Sequence, residues 1–139
     1  MQASPSARTA SWGLLAILGA VNLAGYAFNL YERFWWFDRV LHATTILAIT
    51  LWLSLTVFGP VLRAGPGHGW RILLLLASIG IAGGAVWEVA EWALDHAFPD
   101  DIIKGKYDTI VDVIMDTLGA LLASGIALRC LTESRVHPE

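Results

Sequence analysis

Charge is scarce in this chain. Asp, Glu, Lys and Arg make up 15% of its 139 residues, against about 25% in soluble domains. Hydrophobic residues make up 56% and the mean hydropathy is +0.59. That balance excludes an ordinary water-soluble fold and points to a membrane protein. Cysteine is nearly absent too: Cys130 stands alone, which excludes an internal disulfide and any Cys-x-x-Cys chemistry, and it reads as a small apolar residue. There is no basic run, so nucleic acid is not an expected partner. There is no phosphate loop, no nucleophile elbow and no haem attachment motif. No catalytic residue is assigned, and whether the chain is an enzyme stays open.

What is present is long apolar stretches. Residues 11–30 carry no charge over 20 positions, which is spanning length. No small-x-small cleavage site ends this run, so an uncleaved helix is expected. Further spans are expected at about 38–58, 71–95 and 107–130. Gly59-Pro60 and a breaker-rich loop at 63–70 separate the second from the third, and a polar connection at 99–106 leads into the fourth. The expected fold is all-α: an integral membrane four-helix bundle forming a single transmembrane domain over 1–139. The lipid bilayer is then the first partner, and four short spans suggest a homo-oligomer. Four crossings put both termini on one side with Arg8, Arg63, Arg71, Arg129 and Arg135. The other side has Arg33, Arg39, Lys104 and Lys106. The positive-inside rule then favours cytoplasmic termini in a bacterial inner (plasma) membrane. Trp12 and Trp70 on one side, and Tyr31, Trp35, Trp36, Trp92 and Tyr107 on the other, read as interfacial belts.

Seven of the twelve acids fall within or at the edge of these spans, at helical spacing. Asp38 and His42 are separated by four residues. Glu88, Glu91 and Asp95 follow the i, i+3, i+7 pattern, and Asp108, Asp112 and Asp116 the i, i+4, i+8 pattern. An isolated charge at the centre of a spanning helix costs roughly 2.5–3.5 kcal/mol on insertion scales. Antiparallel neighbours would place all these groups in the half of the membrane away from the termini, where Asn22, Tyr26 and Asn29 also make span one polar. Gly80 and Gly84 share the stripe of Glu88, and Gly119 and Ala123 that of Asp112 and Asp116, so the acidic faces are expected to be the packed ones.

Convergent carboxylates beside one imidazole repel one another unless a cation or protons intervene. A divalent metal offers the first remedy, and the histidine favours Zn, Mn or Fe. The expected ligands are His42, Glu88, Glu91, Asp112 and Asp116. Asp38 and Asp108, nearer the helix starts, suit capping or the orientation of His42. A metal with an open position can activate water, so a metal-dependent hydrolase acting on a lipid-linked or envelope substrate is the leading reading. Shared protons would instead suit a proton- or cation-coupled transporter. A structural network, with Arg39 pairing an acid, would make the chain a non-catalytic scaffold. Asp95 and His96 are expected at the interface in water. His68 and His137 fall in the loop and the tail, where neither is expected to have a role.

Three blocks carry a family resemblance: Phe37-Asp-Arg-Val-Leu-His42, Trp87-Glu-Val-Ala-Glu-Trp92, and Tyr107-Asp-Thr-Ile-Val-Asp112 followed by Leu118-Gly-Ala120. In this order they resemble the YjdF-like family of small bacterial integral membrane proteins of unknown function. A looser similarity is to VanZ-like membrane proteins, whose last helix carries a motif read here as Asp112-x-x-x-Asp116-x-x-Gly119. The Gly-rich stretch typical before the last span is shortened here to Ile-Ile-Lys-Gly-Lys-Tyr. The resemblance implies a multi-span membrane protein and supplies no reaction.

Overall fold

The computed structural model describes residues 2–62, 68–98 and 103–133. Arg63, Asp100, Asp101, Arg135 and His137 lie outside the described residues, as does most of the loop at 63–70. The described chain is all-helical, and four of its helices are long and apolar enough to cross a membrane.

Helix α1 spans Pro5–Ala27. Pro5 suits the first turn because its missing N–H would be unpaired there, and the Ser4 hydroxyl accepts a bond from the Ala7 N–H at 3.2 Å. The helix thus starts earlier than the uncharged run beginning at Ser11. It stops at Ala27, and Asn29 turns the chain in a left-handed conformation, φ 54°. Asn is among the few side chains that adopt it readily. Asn29 is thereby exposed and leaves the polar stripe expected for span one. A single turn, α2 (Leu30–Arg33), follows. Helix α3 (Phe37–Trp52) runs on through a π-helical segment, Leu53–Phe58, where the Gly59 N–H donates to the Ser54 carbonyl five residues back. Helices α4 (Gly69–Ala97) and α5 (Lys106–Glu133) complete the set. Twenty-nine residues make α4 about 43 Å long, more than the roughly 30 Å of a hydrocarbon core, so the acidic turns of α4 are fully helical.

Contacts at both ends fix the helix directions. The start of α3 meets the end of α4 and the first turns of α5 at His42, Glu88 and Asp116. At the other end Leu55, Ile72, Leu76, Ala127 and Leu131 form a buried apolar cluster with Ala3. Helices α3 and α5 therefore run parallel and α4 runs against both. Asn22, late in α1, reaches Thr45, early in α3, so α1 is antiparallel to α3. The main packing is among α3, α4 and α5, and α1 leans on α3 and its π-helical extension. Large apolar side chains such as Leu23, Leu74, Val86, Val89 and Leu122 point outward, as lipid-facing surfaces require.

Two close approaches need glycine. A Cβ on Gly119 would collide with the Ala43 carbonyl, and one on Gly84 would lie 2.7 Å from the Asp116 Cβ and Oδ2. The first brings α3 and α5 backbones together. The second seats the Asp116 side chain against α4. Small residues on the acidic stripes do serve as packing faces.

Candidate metal centre

His42 is the hub. Its ring is buried one turn into α3, and both ring nitrogens face acids. Nδ1 lies 3.2 Å from Asp116 Oδ1, in hydrogen-bond range, and 3.6 Å from Glu88 Oε1. Nε2 lies 3.7 Å from Asp38 Oδ1 and 3.8 Å from Glu91 Oε1. The i,i+4 spacing on α3 stacks Asp38 under His42. Helix α4 brings Glu88 from nine residues inside its end, and α5 brings Asp112 and Asp116 on successive turns of one face.

Two sets of donor atoms converge. One ligand atom each from His42, Glu88 and Asp116 lies within 4.8 Å of the others, and the same holds for Asp38, His42 and Asp112. Glu88, Asp112 and Asp116 are 8%, 3% and 2% exposed. Among the described residues, Glu88 Oε1, Asp112 Oδ1 and Asp116 Oδ2 are buried with no hydrogen-bond partner. An orphaned buried oxygen forfeits about 1–3 kcal/mol, more when charged. Five acids thus surround one imidazole, which supplies at most two N–H donors. Two unit charges 4 Å apart interact by about 4 kcal/mol at an effective dielectric near 20, so a fully ionised cluster with nothing between its oxygens is strongly self-repelling.

Glu91 differs from Glu88. It is only partly buried, and its Oε1 accepts from the Trp87 indole N–H at 2.8 Å. That bond holds it at the edge of the cluster. Asp38 stands with His42 and Asp112 in one set of converging donor atoms and belongs with the cluster. Asp108 sits farther out: its Oδ2 accepts from the Lys104 N–H at 3.4 Å, tying the turn before α5, and its Oδ1 lies 3.8 Å from Arg39. The expected pairing of Arg39 with an acid is therefore seen, outside the cluster. Asp95 Oδ2 accepts from the Ile103 N–H at 2.9 Å and fastens the connection between α4 and α5. His96 lies against the Trp92 ring.

Tyr31, one of the aromatics assigned to the interfacial belts, also reaches the site. Its ring packs between Tyr26 and Phe37, and its hydroxyl donates to Asn22 Oδ1 at 3.0 Å. Asn22 in turn donates to Thr45 Oγ1 and to the Leu18 carbonyl. Burial pushes the Tyr31 hydroxyl well above the usual phenol range, with the neighbouring Tyr26, Asp38 and Glu91 adding to the shift. It therefore remains a donor. The signal available in the sequence was Gly25, six residues before it, whose missing Cβ makes room for the Tyr31 ring.

Beside His42 lies a cavity of about 20 Å³, lined in part by Asn22, Tyr31, Asp38, Glu91 and Asp116. That is room for about one water molecule. It shares Tyr31 and Asp38 with a wider cleft of about 330 Å³ at the non-terminal end, which also takes in Arg33, Arg39, Lys104 and Asp108.

An all-helical, four-span chain with a buried acid-histidine cluster is an integral membrane protein with a candidate metal centre. The chain belongs to the family described as predicted membrane protein (DUF2238), which matches residues 5–133, in keeping with the YjdF-like resemblance. It is also similar to an uncharacterized protein of Thermotoga maritima, 31% identical over 111 residues, covering 78% of this chain and 56% of the relative. The chain thus spans about half the length of that relative. No solved structure matches.

Proposed function

We propose that the protein binds a divalent metal ion inside the membrane and uses it to activate water for hydrolysis. The observation that carries this reading is the trio of buried, unpartnered carboxylate oxygens on Glu88, Asp112 and Asp116 around His42. A cation of charge +2 among His42, Glu88 and Asp116 would relieve the mutual repulsion and give the Glu88 and Asp116 oxygens a ligand bond. His42, Glu88 and Asp116 are the inner set. Asp112 and Asp38 close the opposite side of the ring, and Glu91 stands at the mouth. One imidazole with several carboxylates suits Zn, Mn or Fe. The metal would supply a polarised, more acidic water. The chain's own groups then have defined tasks: Asp116 holds the His42 ring, Trp87 holds Glu91, and Tyr31 and Asn22 hold the wall of the water-sized cavity.

Elemental analysis of the purified protein, followed by titration of chelated protein with Zn, Mn and Fe, tests the reading. About one equivalent of metal is expected. Protein that is metal-free as isolated and takes up none of the three ions would end it. Cation flux in liposomes, driven by a metal gradient, would move the same centre to a transporter.

We also propose a plasma-membrane location with cytoplasmic termini, supported by the five-to-four distribution of Arg and Lys. Labelling of Gln2→Cys in a Cys130→Ala background, in spheroplasts, with an impermeant thiol reagent tests the side. Reaction in intact spheroplasts would reverse it.

A further inference from the structure

Two features around the cluster bear on what reaches it. The first is an opening in the plane of the membrane. The cavity beside His42 is walled by Asn22 and Tyr26 of α1 and by Trp87 and Glu91 of α4. Yet α1 and α4 share no substantial packing, because α1 rests on α3. Tyr26 and Trp87 are 60% and 39% exposed, so the wall between these helices faces the lipid rather than another helix. The second is the wider cleft, which shares Tyr31 and Asp38 with the cavity. Arg33, Arg39 and Lys104 converge on it with Glu32 and Asp108. Asp38 also lines it but faces His42. The lining thus holds three cations and three acids, one of them, Asp38, shared with His42. Arg39 lies 3.8 Å from Asp108, a long pair, and Lys104 meets an exposed Glu32 at 3.2 Å. Arg33 has no ion pair among the described residues. Trp35 lies under the Arg39 guanidinium, 5.4 Å from its centre, and keeps that group at the cleft. The gap between α1 and α4 is where acyl chains would meet the bundle. Arg33, Arg39 and Lys104 at headgroup level attract a phosphate, and guanidinium groups match it in shape as well as charge.

We infer that the cleft binds the phosphate headgroup of a membrane-embedded amphiphile whose chains lie between α1 and α4, so that the headgroup is held over the acid-histidine cluster. This rests on the reading of that cluster as a metal centre, and it names the substrate class: a phosphate-bearing lipid.

The test uses purified full-length protein in detergent, with bound lipid counted by native mass spectrometry. The probes are dioleoyl phosphatidic acid, dioleoylglycerol with the same chains and no phosphate, and inorganic phosphate as competitor. Phosphatidic acid is expected to bind at least about tenfold more tightly than dioleoylglycerol, and Arg33→Gln with Lys104→Gln to lose about that factor, as for lost hydrogen bonds to a charged group. Both residues are exposed, so the variant is expected to fold, and an unchanged melting temperature checks this. Inorganic phosphate at equal concentration should not displace the lipid. Equal binding of the two lipids, or unchanged binding by the folded variant, overturns the inference. Displacement by inorganic phosphate also overturns it and assigns the cleft to a soluble anion. Metal content, measured on the same preparations, reports on the metal centre separately: lipid discrimination without metal would sink the metal reading alone, and metal without lipid discrimination would sink the headgroup inference alone.

Discussion

Asp116→Asn separates a metal centre from a structural acid network. The change keeps the shape of a side chain that is 2% exposed and leaves an amide in place of the carboxylate 3.2 Å from His42 Nδ1. What is lost is one charge and one ligand oxygen. Loss of a partner that only supports a ligand lowers metal affinity 10–100-fold, and loss of a ligand should do at least the upper figure. Metal bound only to the folded state stabilises it by RT ln(1 + [M]/Kd). At a metal concentration 100 times the wild-type Kd, that is about 2.7 kcal/mol. With affinity 100-fold weaker, the same metal gives the variant only RT ln 2, about 0.4 kcal/mol. The difference of about 2.3 kcal/mol corresponds to about 5–10 °C in Tm for a chain of this size.

The sign reverses without metal. The carboxylates then repel, and removing one buried charge is neutral or stabilising. In chelator, Asp116→Asn should therefore melt at or above the wild-type temperature. In saturating metal it should melt below it. Intrinsic fluorescence of the seven tryptophans during heating in detergent, with and without chelator, reads all four values. Equal metal-induced shifts in wild type and variant would refute the placement of Asp116 as a ligand.

Glu91→Gln should weaken metal binding less than Asp116→Asn, about tenfold or less, because Glu91 is half-buried and its oxygen already serves Trp87; competition with a fluorescent chelator measures both, and a larger loss at Glu91 would reverse their order. Gly119→Ala should lower stability by about 1–3 kcal/mol, since its Cβ would meet the Ala43 carbonyl, whereas Gly125→Ala, with nothing within 4 Å, should raise it by up to about 1 kcal/mol; denaturation of the two in parallel checks the α3–α5 contact. Tyr31 carries a pH signature. Its hydroxyl is raised in the folded chain, so the folded state holds this proton more tightly than the unfolded one, whose tyrosine ionises near pH 10. Stability is then fully present below about pH 10 and falls as pH rises above it. Tyr31→Phe should flatten that fall in Tm, and an equally steep decline would place Tyr31 in water.

The spans and the convergence of the acids were readable because both follow from periodicity. A 3.6-residue repeat puts Asp112 and Asp116 on one face, and alternation of helix direction puts that face level with His42 and Glu88. The ends of α1 and the position of Tyr31 were not readable, because both depend on a turn. The left-handed Asn29 swings Tyr31 inward into the space that Gly25 leaves open. Nor did periodicity rank the acids. Glu88 and Glu91 share a helical face in the sequence, and only packing against α5 distinguishes the buried, orphaned Glu88 from the indole-bonded Glu91. Asp38 looked like a cap for the same reason that it is a cluster member: a helix start is where a short acid side chain meets its own i+4 neighbour.

The two halves of the bundle hold opposite kinds of contact, and that division bears on function. In the half near the termini, Leu55, Leu76, Ala127 and Leu131 are almost fully buried. Among the described residues, no ionised side chain enters this cluster. In the other half the same three helices meet through His42, Glu88, Asp112 and Asp116, with oxygens left unpartnered. Well-packed apolar groups in those places would stabilise the bundle at least as well as buried charges do. The polar half therefore does not follow from what a stable bundle needs. Departures of this kind from internal consistency tend to fall at functional sites, and here the departure coincides with the water-sized cavity and the cleft beside it. The apolar half can hold the helices in register whatever occupies the polar half. Residues that fasten the apolar end, such as Leu76, should therefore govern melting temperature with and without metal alike. Leu76→Ala should lower Tm equally in metal and in chelator. A metal-dependent difference at that position would show that the two halves are not independent.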